Sequence, residues 1–166
     1  MRILAVSGSL QARSSNSTLL ETAAAAAPDG VEVVLFDGLR SLPHFNPDLE
    51  AERPEPSVEV WRQAVARSDA LLIACPEYGF SLPGVLKNAI DWAIGTGELE
   101  RKVIAFTASV NHPERGRRGL GALRDTLNAV SAQLVGGDPI VRGPSFEADV
   151  AALLAALIER ARAAQG

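Results

Sequence analysis

The sequence is poor in the residues that mark secreted, metal-binding and nucleic-acid-binding proteins. Of its 166 residues one is cysteine and two are histidine, and the formal net charge is −4. A single cysteine cannot form an internal disulfide, which favours a reducing compartment. The mild negative charge is not that of a nucleic-acid-binding or anionic-membrane-binding surface. Because no apolar run reaches ~18 residues and no cleavable signal pattern opens the chain, we expect a cytoplasmic protein without membrane or nucleic-acid partners.

The two histidines and the cysteine are not placed for metal binding or thiol catalysis. His44 and His112 lie in expected loops, and neither has a second histidine or a carboxylate at ligand spacing, so we expect no metal site. Cys75 ends an apolar run and has no Cys-x-x-Cys partner. It is therefore interpreted as a small buried hydrophobe rather than a nucleophile.

What the sequence does have is a regular alternation of apolar runs and helix-period stretches. The apolar runs predict strands over 2–7, 31–36, 70–75 and 102–107, and a fifth strand of two parts, 133–135 and 139–142, broken around three turn residues at 136–138. The helical periods predict helices over 16–27, 57–67, 83–94, 120–130 and 145–165. The connection 37–56 is long and proline-rich, and long loops are often functional.

This order of elements predicts one α/β domain over residues 1–166. Alternating strands and helices imply a parallel sheet with helices on both faces. Right-handed crossovers favour a single-domain, flavodoxin-like, doubly wound sheet whose five parallel strands have the order 2-1-3-4-5. Ligands of such sheets bind outside the carboxyl ends of the strands, where the strand order reverses. The loops after strands 1, 3 and 4 should therefore converge on one site.

The loop after the first predicted strand is dense in hydroxyl and amide groups and leads into a helix. Free N–H groups and the positive dipole end of a helix attract anions, so this loop could bind a phosphate dianion. It is neither a Walker A loop nor a G-x-G-x-x-G fingerprint. The same residue types also cap helices, with Asn16 or Thr18 as the cap and Glu21 closing a capping box. Both interpretations stay open.

The segment 76–92 holds a polar and aromatic loop, followed by a helix that Pro83 opens. Such a loop suits a planar ligand with hydrogen-bonding edges, and Tyr78 and Phe80 could border that ligand. They could equally cover the end of the sheet. Trp92 fits a packing face of the helix, and this apolar helix would also suit a subunit interface.

Three arginines precede the fourth predicted helix: Arg115, Arg117 and Arg118. Positive charge at a helix N-terminus opposes the helix dipole, and a local rule broken near a predicted site suggests function. A bound anion, such as a phosphate group or a negatively charged substrate, would account for them. A solvated basic loop, or arginines that pair across a subunit interface, is the alternative.

Together these motifs resemble the NADPH-dependent FMN reductase family, which includes quinone reductases, chromate-reducing flavoproteins and some azoreductases. The resemblance follows the order of motifs along nearly the whole chain and is most specific from Pro76 to Trp92. It implies bound FMN, NADPH or NADH as co-substrate, and a homodimer or homotetramer. It also implies hydride transfer through the flavin N5 to a small-molecule electron acceptor: a quinone, an azo compound, a metal oxyanion or free flavin. No catalytic side chain is implied, because the flavin carries the chemistry.

The resemblance also assigns residues to the cofactor. The first loop would hold the phosphate, and the loop after strand 3 would lie along the ribityl chain and the ring. The loop after strand 4 would border the pyrimidine side, and segment 42–49 would lie near a partner subunit. The cofactor-binding candidates are Ser9, Gln11, Arg13, Ser14, Ser15, Asn16, Pro76, Glu77, Tyr78, Gly79, Phe80, Ser81 and Ser109, and the NADPH or substrate candidates are Arg117 and Arg118.

Two positions depart from the usual family pattern. Gln11 stands where arginine is usual, so the phosphate site lacks one positive charge that Arg13 could supply. Gly79 stands where asparagine is usual; it lacks that side chain but adopts positive φ freely. A flavodoxin-type electron carrier and a flavin-free binding module on the same fold are the alternatives to an oxidoreductase.

Overall fold

A five-stranded parallel sheet forms the centre of the fold. The computed structural model describes residues 1–51 and 55–165. Its strands are β1 (Arg2–Ser7), β2 (Glu32–Phe36), β3 (Ala70–Ala74), β4 (Val103–Thr107), β5 (Ser109–Val110), β6 (Gln133–Gly136) and β7 (Ile140–Val141). The central sheet has the order β2-β1-β3-β4-β6. Since β6 begins at the predicted fifth strand, the predicted order 2-1-3-4-5 is confirmed.

The helices occupy the segments whose apolar residues recur with a period of 3.6, and prolines, glycines or capping residues bound several of them. They are α1 (Ser15–Ala25), α2 (Pro47–Ala51), α3 (Pro56–Ala66), α4 (Gly84–Ile94), α5 (Arg117–Asn128) and α6 (Phe146–Gln165), with a 3₁₀ turn at Gly38–Ser41. The predicted loop 37–56 thus contains two short helical segments, and 52–54 lie outside the described residues. Within 1–51 and 55–165, no helix combines the length and apolarity needed to cross a membrane.

The central strands are buried on both faces. All five residues of β3 are buried; Leu71 and Ile73 pack into the cluster that includes α3, α4 and α5 residues, while Leu72 packs into the cluster that includes α1 and α6 residues. Burial on both faces explains why the strand is a continuous apolar run rather than an alternating one. It leaves the carboxyl edge of the sheet as the place for polar loops.

The prediction that the second half of the fifth strand, 139–142, belongs to the central sheet is wrong. Ile140–Val141 does not continue the central sheet but pairs in parallel with Ser109–Val110 in a separate two-stranded sheet. Gly136 and Gly137 have φ of 74° and 100°, a conformation that favours glycine and turns the chain out of the central sheet. This turn brings the residues after β7 back to the loop after β4.

Trp92 is a core residue, which confirms the prediction that it fits a packing face of α4 and leaves it no surface to offer a partner subunit. It is fully buried within the chain, and its ring lies edge-on to that of Phe45 with centroids 5.1 Å apart. Its indole N–H donates to the carbonyl of Pro43 at 2.8 Å. Asn88 adds two hydrogen bonds, to Pro43 and Phe45. Segment 42–49 is therefore anchored to α4 of its own chain.

Candidate functional site

Two adjoining clefts lie beside the loops that follow β1, β3 and β4. The first has a volume of about 610 Å³, and its lining includes loop residues before α1 and the start of that helix. The second, of about 320 Å³, is lined by residues after β3 and β4. Ser109 and Arg142 border both clefts. The loops after β1, β3 and β4 thus converge, as predicted, on two clefts that share Ser109 and Arg142.

Ser14 is the N-cap of α1, so the prediction of Asn16 or Thr18 as the cap is wrong. Ser14 has an extended backbone, and its hydroxyl accepts a hydrogen bond from the N–H of Asn16 at 3.2 Å. The helix begins one residue before the predicted start. The Thr18 hydroxyl instead donates to the carbonyl of Ser14 at 3.3 Å. The N-terminal turn of α1, with Ser14, Ser15, Ser17 and Thr18, faces the first cleft.

Asn16 and Ser15 attach this helix start to the loop after β4. The Asn16 carbonyl oxygen accepts from the N–H of Ser109 at 3.0 Å, and the Ser15 hydroxyl donates to the carbonyl of Ser109 at 3.4 Å. The Ser109 hydroxyl is itself buried and has no hydrogen-bond partner within residues 1–51 and 55–165. An unpaired buried hydroxyl costs free energy. Its position on both clefts fits a ligand that carries hydrogen-bonding oxygens.

Gln11 and Arg13 are on different sides of this loop. Arg13 borders the first cleft, whereas Gln11 and Ser9 border a neighbouring cleft of about 400 Å³ beside β2, which shares Ala12, Ser17 and Glu21 with the first. Since the side chain at position 11 lines the other cleft, Arg13 is the better placed of the two to face an anion at the start of α1.

The loop after β3 carries a tight exposed turn. Tyr78 and Ser81 exchange backbone hydrogen bonds of 3.0 and 3.1 Å, and the two residues between them, Gly79 and Phe80, have φ of 57° and 64°. A type I′ turn requires positive φ at both positions, which suits Gly79 but strains Phe80. The Tyr78 hydroxyl lies 3.3 Å from the Ser9 hydroxyl. The turn holds two exposed rings, Tyr78 at 53% and Phe80 at 68%, beside the site.

Glu77 caps helix α5. Its carboxylate accepts from the N–H groups of Arg118 and Gly119 at 2.9 and 3.0 Å. A carboxylate at a helix N-terminus is stabilised by the dipole, which offsets the arginines there. The capping bonds require α5 to begin at Arg117, three residues before the predicted start. Glu77 thereby joins the loop after β3 to α5, at the border of the second cleft.

The arginines at the start of α5 have contacts within the chain. Arg117 donates to the carbonyl of Pro113 at 3.0 Å and lies 3.6 Å from a carboxylate oxygen of Asp138. Arg118 stacks over the Phe80 ring, 4.4 Å from its centroid. The pair with Asp138 is exposed and weak. These contacts place Arg118, rather than Arg117, against the aromatic turn.

Arg142 borders both clefts, and the sequence did not identify it as a site residue. It directly follows β7, whose parallel pairing with β5 places it beside the loop after β4. Only the departure of β7 from the central sheet brings it there. A basic residue after a two-residue apolar run has no local signal that distinguishes it from an ordinary surface arginine.

Cys75 lies beneath the site as a packing residue. It is fully buried, and burial, with a smaller contribution from the charge of Glu77, raises the pKa of its thiol from 9.0 to about 12. A thiol that stays protonated is a poor nucleophile. The interpretation of Cys75 as a small hydrophobe agrees with this environment.

Comparisons with known proteins agree with the geometry. The profile of the family described as NADPH-dependent FMN reductase matches residues 1–144. Over 93 residues the chain is 44% identical to an NAD(P)H-dependent FMN reductase of Pseudomonas aeruginosa, covering 56% of this chain and 50% of that protein. It is 40% identical over 93 residues to a 2-hydroxy-1,4-benzoquinone reductase of Burkholderia, with coverage of 56% and 50%. The solved structure of FerB, a flavoenzyme NAD(P)H:(acceptor) oxidoreductase of Paracoccus denitrificans, superposes with a TM-score of 0.79 at 26% identity, covering 95% of this chain and 97% of FerB.

The matches to curated relatives are partial, whereas the family and fold matches are extensive. The chain spans about half the length of the curated relatives that it matches. The family profile, however, covers both the loop after β1 and the segment from Pro76 to Trp92, and the likeness to FerB extends over nearly all of both chains. The chain belongs to the NADPH-dependent FMN reductase family.

Proposed function

We propose that the protein is an FMN-dependent oxidoreductase that takes hydride from NADPH or NADH and passes electrons to a small-molecule acceptor. Quinones, azo compounds, metal oxyanions and free flavin are the proposed acceptors. The observation that carries the proposal is the pair of clefts joined at Ser109, whose buried hydroxyl lacks a partner within the described chain. When bound, FMN would supply hydride acceptance and electron transfer at its N5.

The first cleft fits the phosphate end of FMN. It combines the N-terminal N–H groups of α1 with the guanidinium of Arg13. The hydroxyls of Ser15, Ser17 and Thr18 also line it; they donate to Ser109, Ser7 and Ser14 in this structure and would turn to the phosphate on binding. Hydroxyl and N–H donors at a helix N-terminus match the acceptor oxygens of a phosphate dianion. Ser14 is already used as the cap, and Asn16 is bonded to Ser109, so both would act by fixing the loop.

The second cleft and the turn beside it fit the ribityl chain and the ring. Pro76, Glu77 and residues 108–111 line this cleft, and Glu77 holds α5 against it. The turn from Tyr78 to Ser81 provides an aromatic border. Because the second planar substrate must approach an exposed face of the ring, the exposed Phe80–Arg118 stack is proposed as part of the acceptor or nicotinamide entrance.

The proposal also includes the cellular location and the oligomeric state of the protein. One buried cysteine supports a reducing, cytoplasmic location. Homodimers or homotetramers are proposed from the family membership.

Titration of the purified protein with FMN, followed by assays of NADPH and NADH oxidation with benzoquinone, tests the proposal. We expect saturable quenching of flavin fluorescence and steady-state nicotinamide oxidation that depends on both FMN and quinone. FMN binding without nicotinamide oxidation would indicate an electron carrier instead. A protein that takes up no FMN would be a binding module, and the proposed function would be wrong.

A further inference from the structure

Arg142 is held at the junction of the two clefts by backbone pairing. Its N–H donates to the carbonyl of Val110 at 2.8 Å, and Val141 lies opposite Val110 in the register of β5 and β7. This pairing places Arg142 just beyond Val110, and both Arg142 and Ser109, whose hydroxyl is unpartnered within the described chain, line the two clefts. Ser109 is 7% exposed. Arg142 thus brings a positive charge to the two clefts that Ser109 also lines.

The guanidinium of Arg142 is not committed to an acidic partner. Within residues 1–51 and 55–165 it forms no ion pair, although Glu21 borders the first cleft and Glu77 the second. Arg117, by contrast, lies beside Asp138. A guanidinium presents a planar fork of N–H donors that matches phosphate oxygens. Arg142 borders the cleft in which α1 begins, so a phosphate bound there is a suitable partner for its guanidinium.

We propose that Arg142 recognises the phosphate of the flavin and selects FMN over riboflavin. This inference rests on the proposed function, and it assigns to β7 the positive charge that Gln11 does not provide, since Gln11 lines the cleft beside β2. Arg13 and Arg142 then approach one phosphate from the loop before α1 and from the strand after the Gly136–Gly137 turn. The anion thereby ties the separate two-stranded sheet to the central one.

The test is the binding of FMN and riboflavin, measured by flavin fluorescence quenching, to the wild type and to Arg142→Ala and Arg142→Lys. We expect Arg142→Ala to weaken FMN binding by at least about tenfold, in the range of a charge-assisted hydrogen bond, and to leave riboflavin binding unchanged. Arg142→Lys should recover part of the FMN affinity. Added salt should weaken FMN binding to the wild type more steeply than to Arg142→Ala.

Arg160→Ala is the matched control, because it removes the same charge from α6 roughly 20 Å along the helix axis from Phe146, which borders the first cleft. It should bind both flavins as the wild type does. Equal losses for FMN and riboflavin in Arg142→Ala, or unchanged FMN affinity, would overturn the inference while leaving FMN binding by the wild type in place. A wild type that binds neither flavin would overturn the proposed function and this inference with it.

Discussion

The side-chain oxygen of Asn16 accepts a hydrogen bond from the backbone N–H of Ser109 across a sequence separation of 93 residues. Both residues are nearly fully buried, at 5% and 7% exposure. The bond ties the first turn of α1 to β5, and β5 in turn pairs with β7. The floor of the site is therefore built from three distant segments, and its shape depends on the fold as a whole.

Replacement of Asn16 separates the structural role of this bond from cofactor binding. Asn16→Ala should lower the free energy of unfolding by about 1–3 kcal/mol, because the buried N–H of Ser109 loses its acceptor. Asn16→Asp keeps an acceptor at a helix start that favours a carboxylate, so its loss should be smaller. The added negative charge should nevertheless weaken FMN binding. Urea denaturation and FMN titration measure the two effects; a stable Asn16→Asp variant with wild-type FMN affinity would contradict this assignment.

Two glycines of α5 provide a matched test of the contact between that helix and the loop after β3. A Cβ at Gly119 would lie 3.0 Å from Glu77 Cα and 3.2 Å from the carbonyl oxygen of Ser81, whereas at Gly121 nothing lies within 4 Å. Gly121→Ala should raise the free energy of unfolding by about 0.5–1 kcal/mol through helix propensity. Gly119→Ala should lower it by about 1–3 kcal/mol, since backbone atoms must move apart.

Urea denaturation of both glycine variants tests whether α5 packs closely against the loop after β3 at Gly119. If Gly119→Ala were as stable as Gly121→Ala, α5 would not be held against Glu77 as the structure has it. We expect Gly119→Ala also to weaken FMN binding, because Glu77 borders the second cleft, and Gly121→Ala to leave the affinity unchanged.

Local sequence patterns predict the central sheet, but they do not predict the contacts that bring the loops of the candidate site together. Runs such as Leu71–Leu72–Ile73 are apolar throughout because both faces are buried, and this local signal predicts a parallel strand. The two short strands β5 (Ser109–Val110) and β7 (Ile140–Val141) carry no such signal, since a strand of two residues is too short to show a pattern that assigns it to either sheet. Glu77 and Gly119 meet across a separation of 42 residues, a pairing that no local pattern encodes. Arg142 was missed for the same reason.

Phe80 offers a test of the proposed entrance for the second substrate. It is exposed, holds φ of 64° and carries Arg118 over its ring. Phe80→Gly should raise the free energy of unfolding by about 1 kcal/mol, because glycine adopts this φ without strain. Loss of the aromatic surface should lower kcat/KM for a quinone by about two- to tenfold at unchanged FMN affinity.

Phe80→Tyr keeps the ring and serves as the control for acceptor kinetics; it should retain the wild-type kcat/KM. Steady-state assays with benzoquinone measure kcat/KM, FMN titration measures the affinity for the cofactor, and urea denaturation measures the free energy of unfolding. Acceptor kinetics of Phe80→Gly equal to those of the wild type would remove Phe80 from the entrance. A parallel loss of FMN affinity would place the ring against the cofactor instead.

The buried thiol of Cys75 makes stability depend on alkaline pH. Its pKa is raised from 9.0 to about 12 by burial and by the charge of Glu77, so above pH 9 the unfolded chain loses the proton while the native protein keeps it. The unfolded state then binds fewer protons, and the free energy of unfolding falls as pH rises, by up to about 1.4 kcal/mol per pH unit, until the native thiol also ionises.

Cys75→Ala should be less stable near neutral pH because it leaves a small cavity, but its stability should fall less steeply between about pH 9 and pH 10. Urea denaturation of both proteins across this range measures the slopes, and the difference between them cancels the other alkaline groups that both share. Equal slopes would mean that the native thiol ionises as readily as in the unfolded chain, and Cys75 would then be available as a nucleophile beneath the second cleft.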